Sequence, residues 1–211
     1  VPVDPALNPE RQKRHFNKEA EKLILSPDMT DTRLIPWRRI AYWECLACGE
    51  CCRLFEVPLR TDEYAKITGL YGLNAVRLGV GRAYLKKTVK GRCVFQSYIS
   101  GRWLCSLKDD KPLACKVWPF AALKDPRHGR DREALYDYYG DRYYIYVHPY
   151  CRGLIYGEPT SHLTDRVIPE VLRLSAKLTT RQKYTTASLI EPTRGAITST
   201  PFMPSMRPQT V

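Results

Sequence analysis

The sequence predicts a small, irregular α+β domain that is rich in cysteine, binds metal and carries extended N- and C-terminal arms. Eight cysteines lie in one central stretch of the 211 residues, and four of them fall within eight positions. Short helical and strand patterns alternate around them, and no apolar run approaches the roughly 18 residues of a membrane span. We expect an N-terminal extension with an amphipathic helix over residues 1–29, a metal-binding domain over 30–178, and an extended basic tail rich in Pro, Ser and Thr over 179–211.

The first half of the chain predicts three helices and one short strand. Asn8-Pro9-Glu10 is typical of a helix start, and Pro27 ends that helix. The aromatic residues between 28 and 43 are expected to shield the cysteines. The patterns that follow predict a strand over 54–59 and helices over 61–69 and 74–87.

The second half predicts a hairpin, a strand and a longer helix. Ser100-Gly101 is a turn signal between two apolar arms, so residues 93–105 predict a hairpin. One helical turn then carries Cys115, and the charged residues 124–142 predict an exposed loop. Aromatic and β-branched residues predict a strand over 143–147. A helix over 164–178 is predicted to turn four side chains inward, namely Val167, Val171, Leu172 and Leu174.

The cysteine pattern carries most of the functional information. Three cysteines between positions 45 and 51 repeat at every third residue, a step that turns thiolates toward one metal. Gly49 relieves crowding in this turn, and we expect the adjacent Cys51 and Cys52 to point apart, toward two centres or two edges of one cluster. Disulfides and inert buried thiols are the alternatives, but Cys-x-x-Cys spacing favours metal. The predicted ligands are Cys45, Cys48, Cys51, Cys52, Cys93, Cys105, Cys115 and Cys151.

Cysteine spacing does not identify the metal. Two four-thiolate zinc sites and one iron–sulfur cluster with leftover thiols both fit eight ligands. We favour an iron–sulfur cluster, such as a 4Fe-4S centre, because cysteines at two-residue gaps also open ferredoxin-type motifs; zinc is the alternative. His148 lies three positions before Cys151 and is predicted to be a hydrogen-bonded structural histidine rather than a ligand.

The residues around the cysteines resemble the CxxCxxCC cysteine-cluster family, whose members are described as zinc- or iron-chelating proteins. Residues 45–52 carry its signature, while Gly91-Arg92-Cys93-Val94-Phe95 and Cys105 resemble its next blocks. Residues 111–120 resemble its Arg-Pro-x-x-Cys-Arg-x-Phe-Pro-Phe block, and 151–157 resemble its closing Cys-Pro-Gly-x-x-x-Gly. The resemblance covers about residues 44–158 and implies the same eight ligands. The departures from the pattern remove no cysteine: Lys111, Lys116, Trp118 and Arg152.

Basic charge is unevenly distributed along the chain. There are 34 basic and 22 acidic residues, and the interval between Glu63 and Asp109 holds nine basic residues and no acid. This asymmetry favours a polyanionic partner, most often RNA or a ribonucleoprotein, with a solvated basic face as the alternative. The predicted nucleic-acid contacts are Lys66, Arg77, Arg82, Lys86, Lys87, Lys90, Arg92, Arg181 and Lys183.

Together these patterns predict a cytoplasmic accessory or structural subunit of a larger assembly, one that contains RNA, such as the ribosome. No nucleotide loop, Ser-His-Asp set or paired-carboxylate cleft is apparent, so nothing in the sequence requires an enzyme. The resembled family is similar to the flagellin lysine-N-methylases, which implies an iron–sulfur enzyme as one alternative. An electron-transfer subunit of a respiratory complex is another. The N-terminal residues show no secretory signal.

Overall fold

The computed structural model describes residues 34–187, which form an α+β domain and confirm the predicted fold class. The predicted helix that begins at Asn8 lies outside these residues. The strands are β1 Ile35–Pro36, β2 Ile40–Trp43, β3 Pro58–Leu59, β4 Val76–Gly79, β5 Arg82–Leu85, β6 Gln96–Ile99, β7 Arg102–Cys105, β8 Phe120–Leu123, β9 Leu135–Tyr138, β10 Asp141–Val147 and β11 Leu154–Tyr156. The α-helices are α1 Glu50–Leu54, α2 Thr61–Tyr71, α3 Leu113–Val117, α4 Asp131–Ala134 and α5 Ile168–Ser175, with a π-helical turn over Leu163–Val167.

The first hydrophobic core lies between an antiparallel sheet and the C-terminal helix. β10, the strand predicted over 143–147, pairs with β8 along one edge and with β9 and β1 along the other. β2 pairs with β11 beside this sheet. The predicted inward face of the last helix is confirmed, because its four named side chains are at most 3% exposed. This core consists of Trp37, Ile40, Trp43, Phe120, Ile145, Val147, Leu154, Leu163, Val167, Ile168, Val171 and Leu172.

The second hydrophobic core is smaller and is built from local elements. α2 packs against the antiparallel sheet β3-β5-β4. The predicted hairpin is confirmed, since β6 pairs with β7 around a turn at Ser100 and Gly101. Helix α2 begins where Thr61-Asp62-Glu63 predicted, and the Glu63 carboxylate accepts a hydrogen bond of 2.9 Å from the Arg60 backbone N–H. The core consists of Leu59, Ile67, Ala75, Val76, Leu85, Cys93, Phe95 and Leu107.

The helix predicted over 74–87 is wrong. Leu73–Ala75 forms a single 3₁₀ turn, and strands β4 and β5 follow as a hairpin. Its turn contains Gly81 at φ +69°, a conformation that favours glycine. β5 also pairs with β3 on its other edge, so partners distant in sequence override the local helix signal at Asn74.

Two other expectations are wrong in part. The charged residues 124–142 contain α4 and β9 instead of only a loop, because β9 finds an edge of β10 to pair with. Ala134, at the end of α4, is fully buried. The strand predicted over 54–59 is shorter, because helix α1 continues through Leu54 and leaves only Pro58–Leu59 extended.

The domain is completed by residues 179–187, which we call the C-terminal strap. The Glu170 carboxylate of α5 accepts hydrogen bonds from three consecutive backbone N–H groups, those of Lys183, Tyr184 and Thr185, at 3.0–3.1 Å. The Thr185 side chain is buried. The strap therefore lies against the domain, although it carries few apolar residues. No helix within residues 34–187 has the length and apolar character needed to span a bilayer.

Candidate metal centre

One cavity of about 790 Å³, which lies between the two cores, is lined by all eight cysteines. The structure thus brings together every residue that the sequence predicted as a ligand. All eight thiols are free, and none forms a disulfide. The cavity wall is otherwise mainly apolar, with Trp43, Trp103 and Trp118 among its side chains. Thiolate sulfur is the donor that soft metal ions and iron–sulfur clusters select, and eight thiols are enough for one or two such centres.

The turn over residues 45–49 is held by the hairpin β6–β7. The Trp103 backbone N–H donates to the Ala47 carbonyl at 2.7 Å, and the Gln96 amide donates to the Gly49 carbonyl at 3.3 Å. Gly49 lies at φ +75°, and a Cβ there would stand 2.7 Å from the Trp103 ring. The sequence predicted that Gly49 relieves crowding in this turn, and the structure shows that the group it would crowd is the hairpin β6–β7.

Cys51 and Cys52 do not point apart as expected. Both lie in the first turn of α1, and their Sγ atoms are 3.9 Å from each other. Successive side chains of an α-helix diverge by only about 100°, whereas those of an extended strand point in opposite directions. The helical conformation at this position therefore places both thiols on the same wall of the cavity.

The eight thiols divide into two groups. Cys52, Cys93, Cys105 and Cys115 belong to or pack against the second core, and Cys51 interacts electrostatically with all four. We call these five the five-thiol group. Cys45 and Cys151 pack against the first core, and both interact electrostatically with Cys48. Cys48 itself packs against neither core and interacts more strongly with Cys51 than with Cys45, so it links the two groups. We call Cys45, Cys48 and Cys151 the three-thiol group.

The three-thiol group is tied together by contacts to its flanking backbone. The Trp43 indole N–H donates to the Cys151 Sγ at 3.2 Å, and the Glu44 N–H donates to the Gly153 carbonyl at 3.3 Å. These two contacts join the segment that leads into Cys45 to the segment that leaves Cys151. The aromatic shield predicted for residues 28–43 is present at Trp43, which is 1% exposed.

Burial makes most of these thiols reluctant to ionise. It raises the pKa of Cys93 and of Cys151 to about 11, and it raises the pKa of Cys115 well above its ordinary value. The contact with Cys52, followed by burial, raises the pKa of Cys51 strongly. At neutral pH these groups stay protonated unless a metal cation displaces the protons.

A buried lysine supplies positive charge beside the five-thiol group. Lys111 is 5% exposed, and its charge acts against burial to lower the pKa values of Cys105 and Cys115. Its ammonium donates to the carbonyl oxygens of Thr186 and Ala187, at 3.0 and 2.7 Å, and to the Thr186 hydroxyl. Lys111 therefore connects the thiols to the C-terminal strap.

The strap forms part of the cavity wall through Thr186 and Ala187. The Thr186 hydroxyl donates to the Cys115 carbonyl at 3.0 Å. A second buried lysine, Lys116, donates to the Thr180 carbonyl at 3.0 Å and to that of Asp109. Neither lysine was predicted from the sequence as part of the site. Their role in the site could have been suspected from their place in the block that resembles Arg-Pro-x-x-Cys-Arg, because both positions are basic in that pattern.

His148 lines the same cavity, and its ring is held between aromatic side chains. It stacks on Trp118 with ring centroids 4.4 Å apart and lies 5.4 Å from the Phe55 ring. Burial, aided by the nearby His128, lowers the pKa of His148 to about 4, so the imidazole is neutral at pH 7. Its Nδ1 is buried without a hydrogen-bond partner in the described part of the chain, so the hydrogen bond expected of a structural histidine is missing at this atom.

The eight candidate ligands line one cavity but do not converge on a single point. Among residues 34–187, no three His, Cys, Asp or Glu side chains are arranged as they would be around a single ion.

Residues 44–152, more than half of the chain, match the model of a family named CxxCxxCC and described as "Putative zinc- or iron-chelating domain". The chain belongs to the CxxCxxCC family. No curated protein and no solved structure matches it. The match identifies a metal-chelating domain and leaves iron and zinc equally open.

The predicted nucleic-acid residues of this CxxCxxCC protein differ in their surroundings. Lys66 pairs with Asp110 at 2.6 Å, and Arg77 pairs with Glu56. Lys87 donates to the Arg53 carbonyl, Arg92 lies over the Trp103 ring, and Lys183 lies over the Tyr184 ring. Asp110 and Glu56 lie outside the acid-free interval of the sequence, but in the folded chain they pair with basic residues inside it. The remaining predicted residues are exposed and form no ion pair within residues 34–187: Arg82, Lys86, Lys90 and Arg181.

Proposed function

We propose that the cysteine cavity of this CxxCxxCC protein holds an iron–sulfur cluster as a structural centre. We further propose that the protein is a cytoplasmic accessory subunit of a larger, RNA-containing assembly. The observation that carries the metal part is the single cavity lined by eight free thiols. Thiolates are the usual ligands of iron–sulfur clusters, which supply electron-transfer or structural chemistry when they are bound.

The spacing of the thiols favours a cluster over mononuclear zinc. A tetrahedral zinc ion with Zn–S bonds of about 2.3 Å holds its sulfurs roughly 3.8 Å apart. The Cys51 and Cys52 sulfurs meet this spacing, but no third ligand within residues 34–187 joins them around one point. In a 4Fe-4S cluster each cysteine binds a different iron, so its ligands surround a wider space. A cavity between two cores fits that larger group.

Cysteine substitutions in each group test this proposal. We expect Cys115→Ser, in the five-thiol group, and Cys151→Ser, in the three-thiol group, each to lower the iron and acid-labile sulfide per chain after anaerobic preparation. The measurement is metal analysis together with the visible absorption spectrum. Ser106→Ala is the control, because this hydroxyl donates to the Phe95 carbonyl and does not line the cavity. A colourless wild-type protein with stoichiometric zinc would contradict the cluster and leave the chelating domain intact.

RNA binding is a second candidate function, favoured by exposed cations on and after the β4–β5 hairpin, of which Arg82 also lines the cavity. Arg82, Lys86 and Lys90 lie on and after the β4–β5 hairpin, are exposed, and have no acidic partner within the described residues. Exposed cations without partners are the groups that can release counterions from a phosphate backbone. We expect this surface, and not the cysteine cavity, to bind RNA.

The salt dependence of RNA binding tests this surface. Replacing Arg82, Lys86 and Lys90 with Ala is expected to flatten the slope of log affinity against log salt by about 2–3, since each phosphate contact contributes about 0.7–0.9. Fluorescence anisotropy with a labelled single-stranded RNA measures the slope. The matched control is the double substitution Lys66→Ala and Arg77→Ala, which removes cations that already pair with acids. Salt-independent affinity in the wild type would rule out the RNA role.

A further inference from the structure

The C-terminal strap is held to the domain by polar contacts and not by burial of apolar side chains. Among residues 179–187, Thr185 is the one buried residue. Helix α5, which precedes the strap, is by contrast anchored in the first core by Ile168, Val171 and Leu172. Segments with few buried apolar contacts open locally at a lower free energy than the core does. The strap can therefore separate from the domain while α5 stays in place.

The connection between α5 and the strap is exposed. Residues 176–178 are all exposed, and Lys177 adopts a left-handed backbone conformation at φ +58°. The Lys177 ammonium pairs with the Asp62 carboxylate at 3.3 Å, but both side chains are exposed, and exposed ion pairs contribute little to stability. This short segment is where the chain can pivot.

Glu170 makes the strongest of the attachments that hold the strap. Its carboxylate accepts hydrogen bonds from the backbone N–H groups of Lys183, Tyr184 and Thr185 at 3.0–3.1 Å, and from the Thr185 hydroxyl at 2.8 Å. Consecutive N–H groups that converge on one anion form a nest, and hydrogen bonds to a charged group are about twice as strong as neutral ones. Val171, the next residue of α5, is fully buried, so the acceptor is fixed on a rigid element.

The last residues of the strap border the thiols. Thr186 and Ala187 line the cysteine cavity together with Lys111 and Cys115. The Thr186 hydroxyl donates to the Cys115 carbonyl at 3.0 Å, and the Lys111 ammonium donates to the carbonyls of Thr186 and Ala187. Because Thr186 directly follows the residues that Glu170 holds, release of residues 183–185 loosens the cavity wall at this point.

We infer that the C-terminal strap is a gate over the cysteine cavity and that Glu170 is the latch that keeps it closed. The open state exposes the thiols beside the strap, Cys115 among them, without unfolding of either core. Metal ions and small thiol reagents then enter and leave the cavity by this side. The inference concerns access to the cavity, whichever metal the cavity holds.

The substitution Glu170→Gln tests the latch, because it removes the charge and replaces one acceptor oxygen with an amide donor. We expect the amides of residues 183–185 to lose protection from hydrogen exchange, while those of β10 keep theirs. Alkylation of Cys115 by iodoacetamide, in the full-length protein as isolated, is expected to become about tenfold faster or more, the ratio that corresponds to one lost charge-assisted hydrogen bond. Mass spectrometry of peptides measures both rates. Glu133→Gln is the matched control, because Glu133 also accepts a hydrogen bond, from Arg39, but does not line the cavity.

The wild-type protein alone already distinguishes a gate from a fixed wall. Its amides at residues 183–185 should exchange faster than those of β10, and equal rates would show that the strap opens only when the domain unfolds, which would overturn the gate even if Glu170→Gln does not fold. Loss of protection at 183–185 with an unchanged alkylation rate at Cys115 would likewise overturn it, because the strap would then not control access. Neither measurement requires bound metal, so a protein that takes up neither iron nor zinc would overturn the proposed centre and leave the gate standing.

Discussion

Removal of the metal is expected to lower the melting temperature of the protein by about 10 °C or more. The second core has eight buried residues, and one of them, Cys93, is itself a candidate ligand. Because site formation and folding share one free energy, bound metal contributes several kcal/mol to stability. At about 2–4 °C per kcal/mol for a domain of this size, a loss of roughly 4 kcal/mol gives the stated shift. Circular dichroism melts before and after chelation measure it.

Metal reconstitution of the stripped protein is the control and should restore the original melting temperature.

The concentration of chelator that removes the metal should also depend on pH. Metal replaces protons on thiols whose pKa is raised by burial, so metal binding weakens as pH falls and less chelator is needed at pH 6 than at pH 8. A melting temperature unchanged after metal analysis has shown complete removal would mean that the two cores are stable without the centre.

Gly153→Ala is expected to destabilise the domain by about 3 kcal/mol or more and to release metal from the three-thiol group. A Cβ at this position would stand 2.0 Å from the Glu44 carbonyl oxygen, which is a backbone atom and cannot rotate away. Relief requires the segments that carry Cys45 and Cys151 to separate. Overpacking that moves backbone costs about 1–3 kcal/mol and occasionally more. Urea unfolding and metal analysis of the same samples measure the two effects.

Gly69→Ala is the matched control for this substitution. Gly69 lies within helix α2, has ordinary backbone angles, and would meet no atom within 4 Å if a Cβ were added. Alanine in a helix is favoured over glycine by up to about 1 kcal/mol, so this variant should be as stable as the wild type or slightly more stable. If Gly153→Ala unfolded at the same urea concentration as the wild type, the close approach of the two segments would not be needed for folding.

Elements with complete local signals were predicted from the sequence. The hairpin β6–β7 has a Ser-Gly turn between apolar arms, and α5 has four inward apolar residues at helical spacing. The wrong predictions concern segments whose secondary structure depends on pairing with a strand that is distant in the sequence. Asn74 gives a local helix-start signal, but β4 and β5 pair with each other and with β3. In the same way, β9 forms because β10 offers an edge, which no local pattern in residues 124–142 reveals.

The site shows the same division between local and distant information. Cysteine spacing identified the candidate ligands, because a Cys-x-x-Cys step is a property of neighbouring residues. The split into two groups could not be predicted, because it depends on which core six of the thiols pack against and on which thiols lie near Cys48 and Cys51 in the folded chain. Lys111 was seen only as a departure from arginine. Its contacts with Thr186 and Ala187, about 75 residues later in the sequence, exist only in the folded chain.

The C-terminal strap sets an order of events during synthesis. All eight cysteines precede residue 152, so every thiol is made before residues 179–187 exist. Protein domains fold progressively as the chain grows from its N-terminus. Because Thr186 and Ala187 form part of the cavity wall, that wall is incomplete while the last quarter of the described chain is still being made. The cavity is therefore more open to solvent on this side until residues 179–187 are in place.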